Sequence, residues 1–290
     1  MSFKDYKVKG ITFFENEQDG QLMCTISQCG VTATYPMEKG CYKAPAKCVL
    51  MDLDGTTVQS EEFWIWLIEK TAQELKGDPT FALTAEDIPY VSGFSTMEHL
   101  DYCLKKYKIP KTILEANAAY HKIAERELNE ILEGRGNVSA FHPREGLKEF
   151  LFALKERGIK IGLVTSGLDY KAIPEIVSVF RLLDMGDPKD FYDGIITGGK
   201  RKTKGLYGTI GELAVKPHPW VYAELAVGLG VSDKSQVVVL EDSSAGLISG
   251  RLAGFDVIGF NDGNIHASGM AEQAYAMVDG FDEVLKLLEG

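Results

Sequence analysis

From Phe141 onward the chain alternates regularly between helix-like and strand-like segments, and this alternation restricts its fold more than any other feature. PREGLKEFLFALKERG carries its apolar residues at helical spacing and closes at Gly158, and the apolar run IKIGLV follows. A helical stretch over Tyr170 to Leu183 precedes GIIT, another over Trp220 to Leu229 precedes QVVVLE, and a third ending near Gly254 precedes DVIGF. Strands linked through helices run parallel, and their crossovers place helices on both faces, so the pattern predicts a doubly wound parallel sheet of the α/β class. One more strand lies far upstream. KCVLMDL, Lys47 to Leu53, is almost continuously apolar, as a strand buried on both faces should be, and it ends abruptly in DLDGTT. Between it and the alternating region, about Ser60 to Gly134, the pattern is helical, which predicts an inserted α-helical cap. Glu61 and Glu62 suit the first turn of a helix running to Lys76. Ser95-x-x-Glu98 reads as a capping box, and Pro110 as the start of a long helix to Leu132.

Ahead of the first core strand, Lys7 to Phe14, Gln21 to Ser27 and Val31 to Tyr35 alternate apolar with polar residues, separated by the turn-like ENEQDG and QCG. They predict a small N-terminal β extension. The expected organisation is residues 1–46 as that extension, 47–59 plus 141–290 as the α/β core, and 60–140 as the helical cap. With 290 residues, 45% of them hydrophobic, the chain can build such a core. A formal charge of −11 disfavours nucleic acid, whose phosphates demand clustered cations. No apolar run approaches the ~20 residues of a membrane span, and MSFKDYKVKG lacks the apolar stretch of a secretory signal. A cytoplasmic location, without membrane or nucleic acid as partner, is expected; oligomeric state is not indicated. The five cysteines fit no compact zinc spacing and imply no disulfides, and the five histidines form no motif and read as structural.

In open α/β sheets ligands bind beyond the carboxyl ends of the strands. Those ends collect Asp52 and Asp54, then Thr165 and Ser166, then Glu241 and Asp242, while Lys216 follows the third strand in VKPHPW. Four carboxylates converging on one edge would repel each other unless a cation joins them. An oxygen-only donor set points to Mg²⁺.

Taken together, D-x-D-G-T at Asp52 to Thr56, T-S-G at Thr165 to Gly167, K-P at Lys216 and Pro217, and E-D-S at Glu241 to Ser243 resemble the four ordered motifs of the haloacid dehalogenase superfamily. The resemblance covers roughly residues 47–288 and implies a Rossmann-like core. It implies that Asp52 is a nucleophile forming an aspartyl-phosphate and that Asp54 is the acid and base. Thr165, with the Ser166 and Gly167 amides, would hold phosphoryl oxygens, and Lys216 would neutralise charge on Asp52 and the phosphoryl group. Mg²⁺ would be held by Asp52, the Asp54 carbonyl, Asp242, and Glu241 directly or through water.

An acid two residues after the nucleophile resembles the phosphatase and sugar-phosphate mutase branches, not the dehalogenases. The insertion is similar to the helical cap of phosphatases, phosphonatases and β-phosphoglucomutases, and Gly93, Phe94, Ser95 and Thr96 resemble the cap loop that faces the active site. Mutases carry an arginine in that loop, where Thr96 stands, and a histidine early in the first cap helix, where Trp64 stands. Phosphonatases need a cap lysine, with Lys70 left open for that role. The expected function is a Mg²⁺-dependent phosphatase acting on a small phosphorylated metabolite. The alternatives are a β-phosphoglucomutase-like mutase and a non-catalytic phosphate-binding protein on the same fold. Lys200, Arg201, Lys202 and Lys204, in the long segment before Lys216, read either as a solvated loop or as a positive approach for an anionic substrate.

Overall fold

The computed structural model describes residues 8–28, 31–91, 96–199 and 215–289. Its first three strands, β1 (Ile11–Glu15), β2 (Leu22–Gln28) and β3 (Val31–Pro36), form an antiparallel meander with Ile11 opposite Ile26 and Cys24 opposite Tyr35. The period-two alternation buries Ile11, Cys24 and Ile26, which share an apolar cluster with Val221, Tyr222 and Leu225 of the core. This is the N-terminal β extension.

β4 (Cys48–Asp52) is buried at every residue, as its unbroken apolar run requires. The chain then forms β5 (Val58–Gln59), passes through α1 (Glu61–Lys76), α2 (Ile88–Val91), α3 (Thr96–Lys106) and α4 (Ile113–Leu132), and returns as β6 (His142–Pro143). β6 pairs antiparallel with β5, Val58 opposite Pro143, so the inserted helical cap leaves and re-enters the core through a single two-stranded ladder. Glu61 and Glu62 occupy the first turn of α1, as expected, and Gly77 ends it in the left-handed conformation. The long cap helix starts at Ile113, not at Pro110. Thr112 accepts from the Glu115 amide at 3.2 Å while the Glu115 carboxylate accepts from the Thr112 amide at 2.8 Å. That reciprocal capping box satisfies end groups which a start at Pro110 would leave open. The other proposed box begins at Ser95, outside the described residues.

Within the cap, Asp87 is fully buried and accepts hydrogen bonds from Lys106 (2.6 Å), Tyr107 (2.6 Å), Tyr102 (2.8 Å) and the Thr84 amide (2.7 Å). Burial works to raise its pKa, but the bonds from Lys106, Tyr107 and Thr84 win and hold it well below the usual carboxylate range.

The remainder is the α/β core: α5 (Leu147–Glu156), β7 (Lys160–Val164), α6 (Asp169–Leu182), α7 (Pro188–Phe191), β8 (Gly194–Ile196), α8 (Trp220–Gly228), β9 (Val237–Glu241), α9 (Ser244–Leu252), β10 (Asp256–Phe260), β11 (Ala276–Val278) and α10 (Phe281–Glu289). The sheet runs β11-β10-β9-β4-β7-β8, with every pairing parallel. Alternate residues of β4 go to opposite faces. Val49 and Met51 join a cluster with α5, α6, α10 and the cap, and Cys48 and Leu50 join one with α8 and α9. β4 is flanked by β7 and β9, which makes it the point where the strand order reverses, the place where a doubly wound sheet opens a cleft at its carboxyl edge.

Candidate active site

Asp52, the last residue of β4, is buried, and its carboxylate is hydrogen-bonded and ion-paired to Lys216 Nζ. The same Nζ donates to Glu241 Oε1 at 2.6 Å, and Tyr222 Oη on α8 donates to that oxygen at 2.5 Å. Ser243 Oγ, which caps α9, donates to Glu241 Oε2 at 3.0 Å. Asp52, Glu241 and Asp242 each offer an oxygen within 4.8 Å of the others. Two glycines make room for this crowding. A Cβ on Gly55, whose φ is +84°, would overlap the Asp242 carboxylate, and a Cβ on Gly246 would overlap that of Glu241. Burial, then the charge of Glu241, pushes Asp52 well above the carboxylate range against the pull of Lys216, and the same causes push Asp242 up to about 7. Two buried carboxylates paired to one lysine, with the half-buried Asp242 beside them, are short of positive charge, and every donor atom in the group is oxygen. The group fits Mg²⁺.

Asp54 faces a different set of partners. Ser60 Oγ (2.8 Å) and Trp64 Nε1 (3.2 Å) donate to its Oδ1, and Thr165 Oγ1 to its Oδ2 at 3.4 Å. Thr165 Oγ1 also accepts from the Gly167 amide at 2.8 Å, which shapes the turn after β7. Ser166 lines the same cleft with a buried Oγ that has no hydrogen-bond partner among the described residues. Asp52, Asp54, Thr165, Ser166, Gly167, Lys216 and Asp242 therefore stand around one cavity of about 990 Å³, with Glu241 directly behind it. Of the cap loop, Thr96 lines the cavity, while Gly93, Phe94 and Ser95 lie outside the described residues, as do Lys200, Arg201, Lys202 and Lys204.

Several contributors carried no sequence signal. Arg144, just after β6, donates to the carbonyls of Thr56 (3.1 Å) and Gly55 (2.5 Å) and pairs with Asp262 at 2.9 Å, fastening the turn that follows Asp54. Glu175 of α6 is buried beside Asp54 and Asp52; burial first, then those two charges, pushes its carboxyl well above the usual range. Tyr222 and Ser60 read as ordinary helix residues until the chain folds. His99, read as structural, lines the cavity. Lys70 lies over the Trp66 ring at 4.9 Å and is not part of the cavity wall.

Comparison with known proteins agrees with this geometry. The family model described as haloacid dehalogenase-like hydrolase matches residues 49–260. A phosphonoacetaldehyde hydrolase of Bacillus cereus is 25% identical over 223 residues, which is 73% of this chain and 75% of that protein. Hexitol phosphatase B of Escherichia coli strain K12 is 30% identical over 108 residues, 37% of this chain and 40% of that one. Among solved structures, CbbY from Rhodobacter sphaeroides in complex with phosphate superimposes with a TM-score of 0.58 at 21% identity, covering 82% of this chain and 96% of that one.

Proposed function

This chain belongs to the haloacid dehalogenase-like hydrolases, and on that premise we propose that it is a Mg²⁺-dependent phosphatase that hydrolyses a small phosphorylated metabolite through an aspartyl-phosphate at Asp52. The observation that carries the reading is the buried Asp52–Lys216–Glu241 group with Asp242 beside it at the carboxyl edge of β4 and β9. Lys216 keeps charge balanced around Asp52 and would meet a phosphoryl oxygen with the same ammonium. An Asp52 oxygen would attack phosphorus, forming the acyl-phosphate bond as the bond from phosphorus to the ester oxygen breaks. Asp54, oriented by Ser60 and Trp64, would give its proton to the departing oxygen and then take one from the water that frees phosphate. Thr165 and the amides of Ser166 and Gly167 would hold the phosphoryl oxygens. Mg²⁺, bound by Asp52, the Asp54 carbonyl, Asp242 and Glu241, would supply charge neutralisation there.

The division into a β extension over 1–46, a core over 47–59 plus 141–290 and a cap over 60–140 belongs to the same reading, supported by the β5–β6 ladder at the cap's two ends. The exclusion of nucleic acid as a partner rests on the charge of −11, and a cytoplasmic site of action without a membrane partner belongs to the same reading. No helix among the described residues is long and apolar enough to cross a membrane.

The test is release of inorganic phosphate from a panel of phosphorylated metabolites by wild-type protein and by Asp52→Asn. The substitution is nearly isosteric and should leave the fold intact while reducing turnover at least about 10³-fold, since it removes the nucleophile itself. Turnover by Asp52→Asn near the wild-type rate would refute the covalent mechanism.

A further inference from the structure

The part of the cavity wall made by α6, Trp64 and Tyr120 holds a cation that phosphoryl transfer does not use. Lys171 is the third residue of α6, where the positive end of the helix dipole makes a lysine unfavourable. Its Nζ lies over the faces of Trp64 (5.0 Å) and Tyr120 (4.7 Å) and donates to Tyr120 Oη at 3.1 Å. All three side chains line the catalytic cavity. Lys171 forms no ion pair with a carboxylate among the described residues. Glu175, one helical turn on, neighbours Asp54 and Ser60 instead. An ammonium set in a partly buried cleft, against the helix dipole and without a counter-ion among the described residues, is a local cost that a ligand can offset.

Its placement says which part of a ligand it meets. Trp64 has Asp54 on its indole Nε1 and Lys171 on its ring face, so the ammonium stands one indole away from the acid that faces the leaving oxygen. The organic half of an ester bound at Asp52 therefore extends toward it. Because Lys171 donates to Tyr120 Oη, the phenol proton stays available, and the pair presents two adjacent donors at the seam between core and cap. Two donors and one positive charge match the two oxygens and single charge of a carboxylate; a second phosphate, a dianion, calls for a larger cationic set.

We propose that Lys171 and Tyr120 form the specificity site for the leaving group, and that the substrate is the phosphate monoester of a hydroxycarboxylic acid. This rests on the phosphatase reading above and names the substrate class of the same site.

The experiment compares kcat/KM for 3-phosphoglycerate and glycerol 3-phosphate, which share a skeleton and differ by carboxylate against hydroxymethyl. p-Nitrophenyl phosphate is run alongside. Wild-type protein should prefer the carboxylate ester by about tenfold to a hundredfold, the range for an opposite charge in a partly buried contact. Lys171→Met, which keeps the stem on the two rings, should bring that ratio close to one, and Lys171→Arg should retain most of it. Equal wild-type rates on the glycerol pair, with p-nitrophenyl phosphate hydrolysed, would overturn the carboxylate site and leave the phosphatase standing. So would a Lys171→Met variant that loses both esters in equal proportion, since Lys171 would then grip the transferred phosphoryl group. So, too, would a preference for fructose 1,6-bisphosphate over both probes. No hydrolysis of any ester would remove the phosphatase reading and this one with it.

Discussion

Replacing Glu175 by Gln should stabilise the protein at alkaline pH and do nothing at acid pH. Glu175 is 1% exposed, its Oε1 has no hydrogen-bond partner among the described residues, and its carboxyl neighbours Ser60 and the charges of Asp54 and Asp52. Its folded pKa is raised, so the folded state holds the proton to a higher pH than the free chain does. Stability from this group is complete below the free-chain value near 4.3 and erodes as pH climbs from there toward the folded value. Glutamine keeps the shape and the neutral state and removes the erosion. The gain at pH 8 should fall in the range for an unsatisfied buried group, about 1–3 kcal/mol. For a chain of this size that is roughly 2–10 °C in Tm. Thermal unfolding followed by circular dichroism at pH 4 and pH 8, without Mg²⁺ and with it, reads both numbers. A Glu175→Gln protein less stable than wild type at pH 8 would mean that the carboxylate is ionised and paired. An equal gain at both pH values would mean that packing, not protonation, sets the effect.

Chelator should abolish phosphate release, and Asp242→Ala should raise the Mg²⁺ concentration for half-maximal rate by tenfold or more; full activity in chelator would sink the assignment of the carboxylate group. Asp87→Ala should destabilise by about 2–4 kcal/mol, because Lys106, Tyr102 and Tyr107 lose their common acceptor. Since the folded pKa of Asp87 is depressed, its contribution is whole at neutral pH and fades as pH drops below about 4. Denaturant titrations at pH 7 and pH 3 should find the gap between wild type and Asp87→Ala narrowing at the lower pH, and a constant gap would contradict the bonding described.

The sheet was legible because burial on both faces leaves a plain mark: CVLMD and VVVLE are apolar runs with no alternation, each cut off by acids. Motif residues on those strands were legible for the same reason, since a strand end fixes where Asp52 and Glu241 emerge. β11 left no such mark, being three residues, two of them only half-buried. The long cap helix was misplaced at its start because Pro110 is the louder signal, whereas the cap that forms is Thr112 with Glu115. Ser60, Arg144 and Glu175 escaped notice because nothing local marks them, and Lys171 because its one local mark is faint. They reach Asp54, the turn after it and the cavity from positions up to more than a hundred residues away, and only the closed structure sets them there. Lys171 alone broke a local rule, a cation in the first turn of a helix.

The two-residue ladder of β5 against β6 has a topological consequence. To the rest of the molecule, a chain that departs at Val58 and comes back opposite it at Pro143 is a hairpin turn, whatever lies beyond. The entropy of closing such an excursion grows only with the logarithm of its length. The core therefore bears a closure cost only about 2–3 kcal/mol greater for four helices than for a short loop, and no core strand must shift register if the cap grows, shrinks or is exchanged. Chemistry anchored on β4, β7 and β9 can stay fixed while the surface that chooses the substrate changes independently.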